Sequence, residues 1–96
     1  MNALEAREVL AAQLAIWRQQ SYAALSIQIG VCSHAEIRGS SGTMYQIEIT
    51  PEWDDQPKGV IRVLGCVDDG GMRAFVPLTD DFLIGPDGQF VDEQAV

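Results

Sequence analysis

His34 is the only histidine in the chain, and Cys32 lies two positions before it. Acid–base or nucleophilic catalysis needs a histidine beside a thiol, a hydroxyl or a carboxylate. Because alternate residues of a strand share a face, Cys32 and His34 could meet if a strand begins early. Cys66 is expected two strands away, and no third group joins the pair. We therefore interpret His34 as a solvated strand residue and assign no catalytic residue.

Aspartates are the other candidates for chemistry, because carboxylate oxygens bind divalent cations. They occur in pairs at expected turns and helix starts, where aspartate also forms local hydrogen bonds with the backbone. Their spacing is not that of an EF-hand loop. Two pairs are expected at one end of the sheet and are the candidate metal ligands: Asp54, Asp55, Asp80 and Asp81. Turn chemistry is the favoured interpretation, so no metal site and no cofactor are assigned.

The composition limits the possible function. The 96 residues include 14 acidic and 6 basic side chains, a net charge of −8, and 47% are hydrophobic. These values predict one globular domain over residues 1–96. The acidity argues against binding to nucleic acid, which needs clustered lysine and arginine, but suits a basic protein partner.

No apolar run is long enough to cross a bilayer, and the chain does not open on a basic segment followed by an apolar one. We therefore expect a cytoplasmic protein with no membrane contact. Because no signal peptide is expected, its two cysteines, Cys32 and Cys66, are expected to be free thiols. They also lack the paired spacing of a zinc site.

A β-meander is predicted at the centre of the fold. Between residues 43 and 54, apolar residues such as Tyr45 and Ile47 alternate with polar ones, the pattern of a half-buried strand. Pro51 lacks an N–H and must lie where this strand outruns one neighbour. Four strands are expected to pair in sequential order, at 34–39, 43–54, 60–68 and 72–78.

The turns between these strands set the pairing. A three-residue turn with Gly42 in the left-handed conformation would pair Ile37 with Tyr45. A two-residue loop at Asp69-Gly70, or a four-residue loop of the same parity, would make 72–78 the fourth strand, with Ile61 opposite Leu78. Further expected pairs of this hairpin are Val67 with Met72, Gly65 with Ala74, and Val63 with Val76.

Helices are expected at the N-terminus, over 2–29. Asn2 can cap an amphipathic helix from Ala3 to about Arg18, with Glu5 in the capping-box position and on the polar side. Ser21 can cap a short second helix to about Gln28, although the alternating residues there also suit a strand. A third helical turn is expected at Thr79–Phe82, within a C-terminal turn and extended segment over 79–96. Phe82, Ile84 and Phe90 of this segment are the candidates to cover part of the sheet's outer face.

The fold class is therefore α+β, with two helices on a four-stranded antiparallel meander. Apolar residues on the outer face suggest a binding surface. We expect a non-enzymatic interaction domain, for example an acidic inhibitor or immunity-type partner of a basic protein. The alternatives are a homodimer that uses the same face and a small metal-dependent hydrolase that uses the loop aspartates. The partner-binding candidates are Val60, Leu64, Phe75, Arg62 and Arg73.

Several short motifs carry a resemblance to other proteins. They include Tyr45-Gln46-Ile47-Glu48-Ile49, Trp53-Asp54-Asp55, Asp68-Asp69-Gly70-Gly71, Arg73-Ala74-Phe75, Asp81-Phe82 and Pro86-Asp87-Gly88-Gln89-Phe90-Val91. Together the motifs resemble a group of short uncharacterised bacterial proteins over about 40–93. The resemblance implies no activity and assigns no functional residue.

Overall fold

The computed structural model describes residues 2–70 and 77–91, and within them two helices precede an antiparallel sheet of five strands. The strands lie in sequential order, so the fold is α+β, as expected, but with five strands instead of four. The elements are α1 (Ala3–Trp17), α2 (Tyr22–Ser26), β1 (Ser33–Arg38), β2 (Met44–Trp53), β3 (Ile61–Asp68), β4 (Leu78–Ile84) and β5 (Phe90–Val91). None of the helices in these two ranges is long and apolar enough to cross a membrane.

The pairing of β1 with β2 is confirmed. Ile37 lies opposite Tyr45, and Gly42 has the positive φ of 93° that the three-residue turn requires. Alternation along β2 buries Tyr45, Ile47 and Ile49. β2 also outruns β1, whose pairing stops at Ile49, and Pro51 lies in the overhang.

The predicted pairing of β3 is wrong. Its partner is β4, so Ile61 lies opposite Ile84 and Val67 opposite Leu78. Residues 72–76 of the expected strand lie outside the described residues. The expected helical turn at Thr79–Phe82 is part of β4, and the sheet does not end at residue 78 but continues through β5. Asp80 and Asp81 suggested a helix start, but pairing with β3 buries Phe82 and Ile84, and this tertiary gain outweighs the local preference.

The face of the sheet that the helices cover is the inner face. Phe82 and Ile84 are buried there, and Phe90 stacks edge-on against Phe82 with ring centroids 5.8 Å apart. The expectation that these three residues cover the outer face is therefore wrong. The core joins the two helices to the strands and contains Ala6, Leu10, Leu14, Leu25, Tyr45, Ile47, Ile49, Ile61, Val63, Val67, Phe82 and Ile84.

Both helix caps are confirmed. The Asn2 side chain accepts a hydrogen bond from the Glu5 amide at 3.1 Å, and the Ser21 hydroxyl accepts one from the Ala24 amide at 3.0 Å. The segment after Ser21 is therefore helix and not strand. Trp17 packs half-buried against the core. Glu5, however, is buried and does not lie on the polar side of α1.

Candidate functional site

The outer face is the side of the sheet opposite α1 and α2. Its strand residues are exposed or half-buried, except Leu83, which is buried. With Asp54 beside them, they present six carboxylates and two arginines, which makes this surface acidic. The outer face consists of His34, Glu36, Arg38, Met44, Gln46, Glu48, Thr50, Glu52, Arg62, Leu64, Cys66, Asp68, Thr79, Asp81, Leu83 and Val91.

Arg62 joins two carboxylates on the outer face. Its guanidinium donates to Asp54 Oδ1, at 3.0 Å from Nε and 2.7 Å from Nη2, and also to Asp81 Oδ2. The hydrogen bonds with Asp54 and then Asp81 raise the pKa of Arg62. Arg62 thus neutralises part of the acidic surface and fixes the end of β2 against β4.

The four aspartates proposed as metal ligands do not form one site. Asp54 and Asp81 bind the Arg62 guanidinium, which occupies the position that a cation would take. Asp80 precedes Asp81 in β4 and therefore points to the inner side of the sheet. Asp55 lies exposed in the loop before β3.

A second cluster lies at the opposite edge of the outer face. Cys32 directly precedes β1, and His34 lies opposite Glu48 in the β1–β2 pairing. Cys32 Sγ is 3.7 Å from His34 Nε2 and donates to Glu48 Oε2 at 3.4 Å. One ligand atom from each residue lies within 4.8 Å of the others, and all three residues are exposed. The sequence indicates that Cys32 and His34 can meet, but Glu48 appears there only as a polar position of β2 and joins them through strand pairing.

Cys66 borders this cluster, opposite Glu48 on β3. Partial burial raises the pKa of the Cys66 thiol, and the nearby charges of Glu48 and Cys32 raise it further. Both cysteines are free thiols, as expected. The Cys66 thiol is therefore held protonated and is a poor nucleophile at neutral pH.

The predicted partner-binding residues are only partly described. Leu64 lies half-buried near the middle of the outer face, between Thr50 and Asp81. Val60 is half-buried just before β3. Phe75 and Arg73 lie outside the described residues. Leu83 is a further apolar residue of this face, missed because β4 was not foreseen.

The Glu5 carboxylate accepts four hydrogen bonds, and it lies on the helical side of the sheet. It accepts hydrogen bonds from Tyr45 Oη at 2.7 Å, from Ser40 Oγ at 2.9 Å, and from the Ser41 amide and hydroxyl at 2.8 and 2.6 Å. These bonds, led by that from the Ser41 hydroxyl, lower the pKa of Glu5 to about 2. The bond to Glu5 raises the pKa of Tyr45 to about 12.

The Glu5 cluster links α1 to the β1–β2 turn, because Ser40 and Ser41 of that turn and Tyr45 of β2 donate to the Glu5 carboxylate. Gly39 makes room for it: a Cβ at this position would lie 2.7 Å from the Glu5 carboxyl carbon and 2.9 Å from the Tyr45 ring. In the sequence, Glu5 occupies the capping-box position of α1. That local pattern does not indicate its hydrogen bonds with residues 35 to 40 positions away.

A cavity of about 390 Å³ lies between α1 and β4. Arg7, Glu8 and Asp80 line it together with aliphatic side chains. The charges are of mixed sign, and the lining includes neither a histidine nor a cysteine. The outer face therefore remains the better candidate for function.

No family model matches this chain, and neither the curated proteins nor the solved structures contain a significant match to it.

Proposed function

We propose that this chain is an interaction module that binds a basic protein through the outer face and acts by binding, not by catalysis. The observation that carries the proposal is the charge of that face, six carboxylates against two arginines. Complementary charge accelerates encounter and selects among partners. Cytoplasm is the expected compartment, because the thiols of Cys32 and Cys66 are free.

Half-buried Leu64 supplies the apolar contact near the centre of the surface. Interfaces commonly combine such an apolar centre with a charged rim that excludes water. Arg62 is held by Asp54 and Asp81, so it reaches the surface already ordered and loses little side-chain freedom on binding.

The same charge disfavours two other functions. Two copies of an acidic face repel each other, which opposes a homodimer through this surface. Phosphate backbones are repelled in the same way, which opposes binding to nucleic acid. For a basic protein, the same negative charge raises the association rate and favours this partner over acidic ones.

The experiment uses the full chain as bait in an extract of the source organism, followed by calorimetry with each purified basic protein that is retained. The test variants are Glu52→Lys and Leu64→Ser on the outer face. The matched control is Glu8→Lys, an equal charge change at an exposed position of α1. We expect both test variants to weaken binding by about tenfold or more, as loss of an interface centre or charge commonly does, and the control to change it little.

Rising salt should weaken the complex through the association rate. The proposal fails if no basic protein is retained, or if Glu8→Lys weakens the complex as much as Glu52→Lys. It also fails if light scattering shows a dimer that Glu52→Lys leaves intact, since the acidic face would then not control association.

A further inference from the structure

Cys32, His34 and Glu48 together supply the ligand types that bind zinc. Zinc prefers thiolate, imidazole and carboxylate groups, whereas magnesium and calcium prefer oxygen ligands alone. Thiolate and carboxylate also bring two negative charges, which balance a divalent ion. From this geometry we propose that Cys32 Sγ, His34 Nε2 and a Glu48 carboxylate oxygen form a zinc site at the β1 edge of the outer face.

The distances fit a tetrahedral ion. With zinc bonds of about 2.0–2.3 Å, two ligand atoms at the tetrahedral angle lie roughly 3.4–3.6 Å apart. The distances from Cys32 Sγ to Glu48 Oε2 and to His34 Nε2 are 3.4 and 3.7 Å. These two distances are close to the tetrahedral values, and the ligand atoms of His34 and Glu48 lie within 4.8 Å of each other, so side-chain rotations can bring all three atoms around one ion. Because the residues are exposed, water takes the fourth position.

The backbone of β1 and β2 brings the three proposed ligands together. Cys32 and His34 are two residues apart and point to one side of an extended segment. Glu48 lies directly opposite His34, in a register that the Gly42 turn fixes. The Cys32 thiol donates its proton in a hydrogen bond to Glu48. Zinc binding forms a zinc–sulfur bond in its place and releases that proton to solvent. His34 binds through Nε2 and keeps its proton on Nδ1.

The test titrates the reduced full chain with Zn²⁺ by calorimetry and with Co²⁺ by absorption spectroscopy. The test variants are Cys32→Ser, His34→Gln and Glu48→Gln. Each should weaken Zn²⁺ binding by more than about tenfold, the lower end of what even loss of an outer-shell partner costs. The Co²⁺ complex should show a thiolate charge-transfer band that Cys32→Ser abolishes.

The chain offers two matched controls, Cys66→Ser and Glu36→Gln. Both residues lie on the outer face next to a proposed ligand but outside the three-residue cluster. They should leave the affinity within about twofold, as surface substitutions generally do. All five side chains are exposed or half-buried, so circular dichroism should show each variant folded.

Three results would overturn the zinc site: no heat of Zn²⁺ binding at micromolar protein, equal losses in control and test variants, or a Co²⁺ spectrum without the thiolate band. None of these results depends on a protein partner. The partner experiment in turn uses Glu52 and Leu64, which are not zinc ligands, so the two proposals succeed or fail separately.

Discussion

Replacing Gly65 with alanine tests how closely α1 packs on the sheet. Gly65 lies in β3 on the inner face, and a Cβ there would lie 2.8 Å from Leu10 Cδ1 and 3.3 Å from Leu14 Cδ2. Leu10 is 1% exposed and lines the cavity between α1 and β4, so its side chain could relieve this contact only by giving up its present packing and turning towards that cavity. Without a helix over this position, alanine would be favourable, because it restricts the unfolded chain more than glycine does.

The two effects have opposite signs. Reduced freedom of the unfolded chain would stabilise Gly65→Ala by about 0.4–1 kcal/mol. Forcing an extra methyl into a packed core costs about 1–3 kcal/mol, so the net expectation is a loss of roughly 0–2.6 kcal/mol, with a midpoint of about 1.3 kcal/mol. Leu10→Ala alone should cost about 2–5 kcal/mol. In the double variant, the space left by Leu10→Ala accommodates the new methyl at position 65. The loss of stability should therefore be smaller than the sum of the two single losses by at least about 1 kcal/mol.

Urea unfolding followed by circular dichroism gives all four free energies of unfolding in this cycle. Leu4→Ala is the control, because Leu4 lies on the same helix but is 69% exposed and should change stability by less than about 0.5 kcal/mol. A Gly65→Ala variant as stable as the wild type, with additive losses in the double variant, would refute the packing of α1 on β3.

Two further predictions concern titration and thiol reactivity. The pKa of Glu5 is about 2 in the fold against 4.5 as its ordinary value, so the unfolded chain binds more protons and stability falls as the pH drops from 4.5 towards 2. Urea midpoints across this range should fall more steeply for the wild type than for Glu5→Gln, and equal slopes would contradict the Glu5 cluster. At neutral pH, iodoacetamide should modify exposed Cys32 before Cys66, whose pKa is raised by burial and neighbouring negative charge. Mass spectrometry of the peptides measures the order of modification. Faster modification of Cys66 would contradict the partly buried and negatively charged surroundings described for its thiol.

Alternation of apolar residues was sufficient to predict β1, β2 and the turn between them. Because Tyr45, Ile47 and Ile49 are all buried, only one face of β2 can point to the core. The turn at Gly42 then sets the register of β1 against β2. The same reasoning failed at β4, because Asp80-Asp81 resembles a helix start and Asp69-Gly70 resembles a tight hairpin. Pairing with β3 decided the outcome, and no local pattern reports such a long-range contact.

The candidate sites were predicted less well, for the same reason. Glu5 reads as a capping residue, yet its side chain bonds with Ser40, Ser41 and Tyr45. Cys32 and His34 are close in sequence, but Glu48 joins them only through strand pairing. Once the β1–β2 register is known, the position of Glu48 opposite His34 follows, so the signal was present in the predicted pairing itself.

The most specific proposal for the outer face is the zinc site of Cys32, His34 and Glu48 at its β1 edge. Anomalous diffraction at the zinc absorption edge, from crystals of the reduced full chain grown with Zn²⁺, tests it most directly. A peak is expected about 2.0–2.3 Å from Cys32 Sγ, His34 Nε2 and a Glu48 oxygen. Peaks confined to the helical side of the sheet, or to Asp54 and Asp81 with Arg62 displaced, would contradict it.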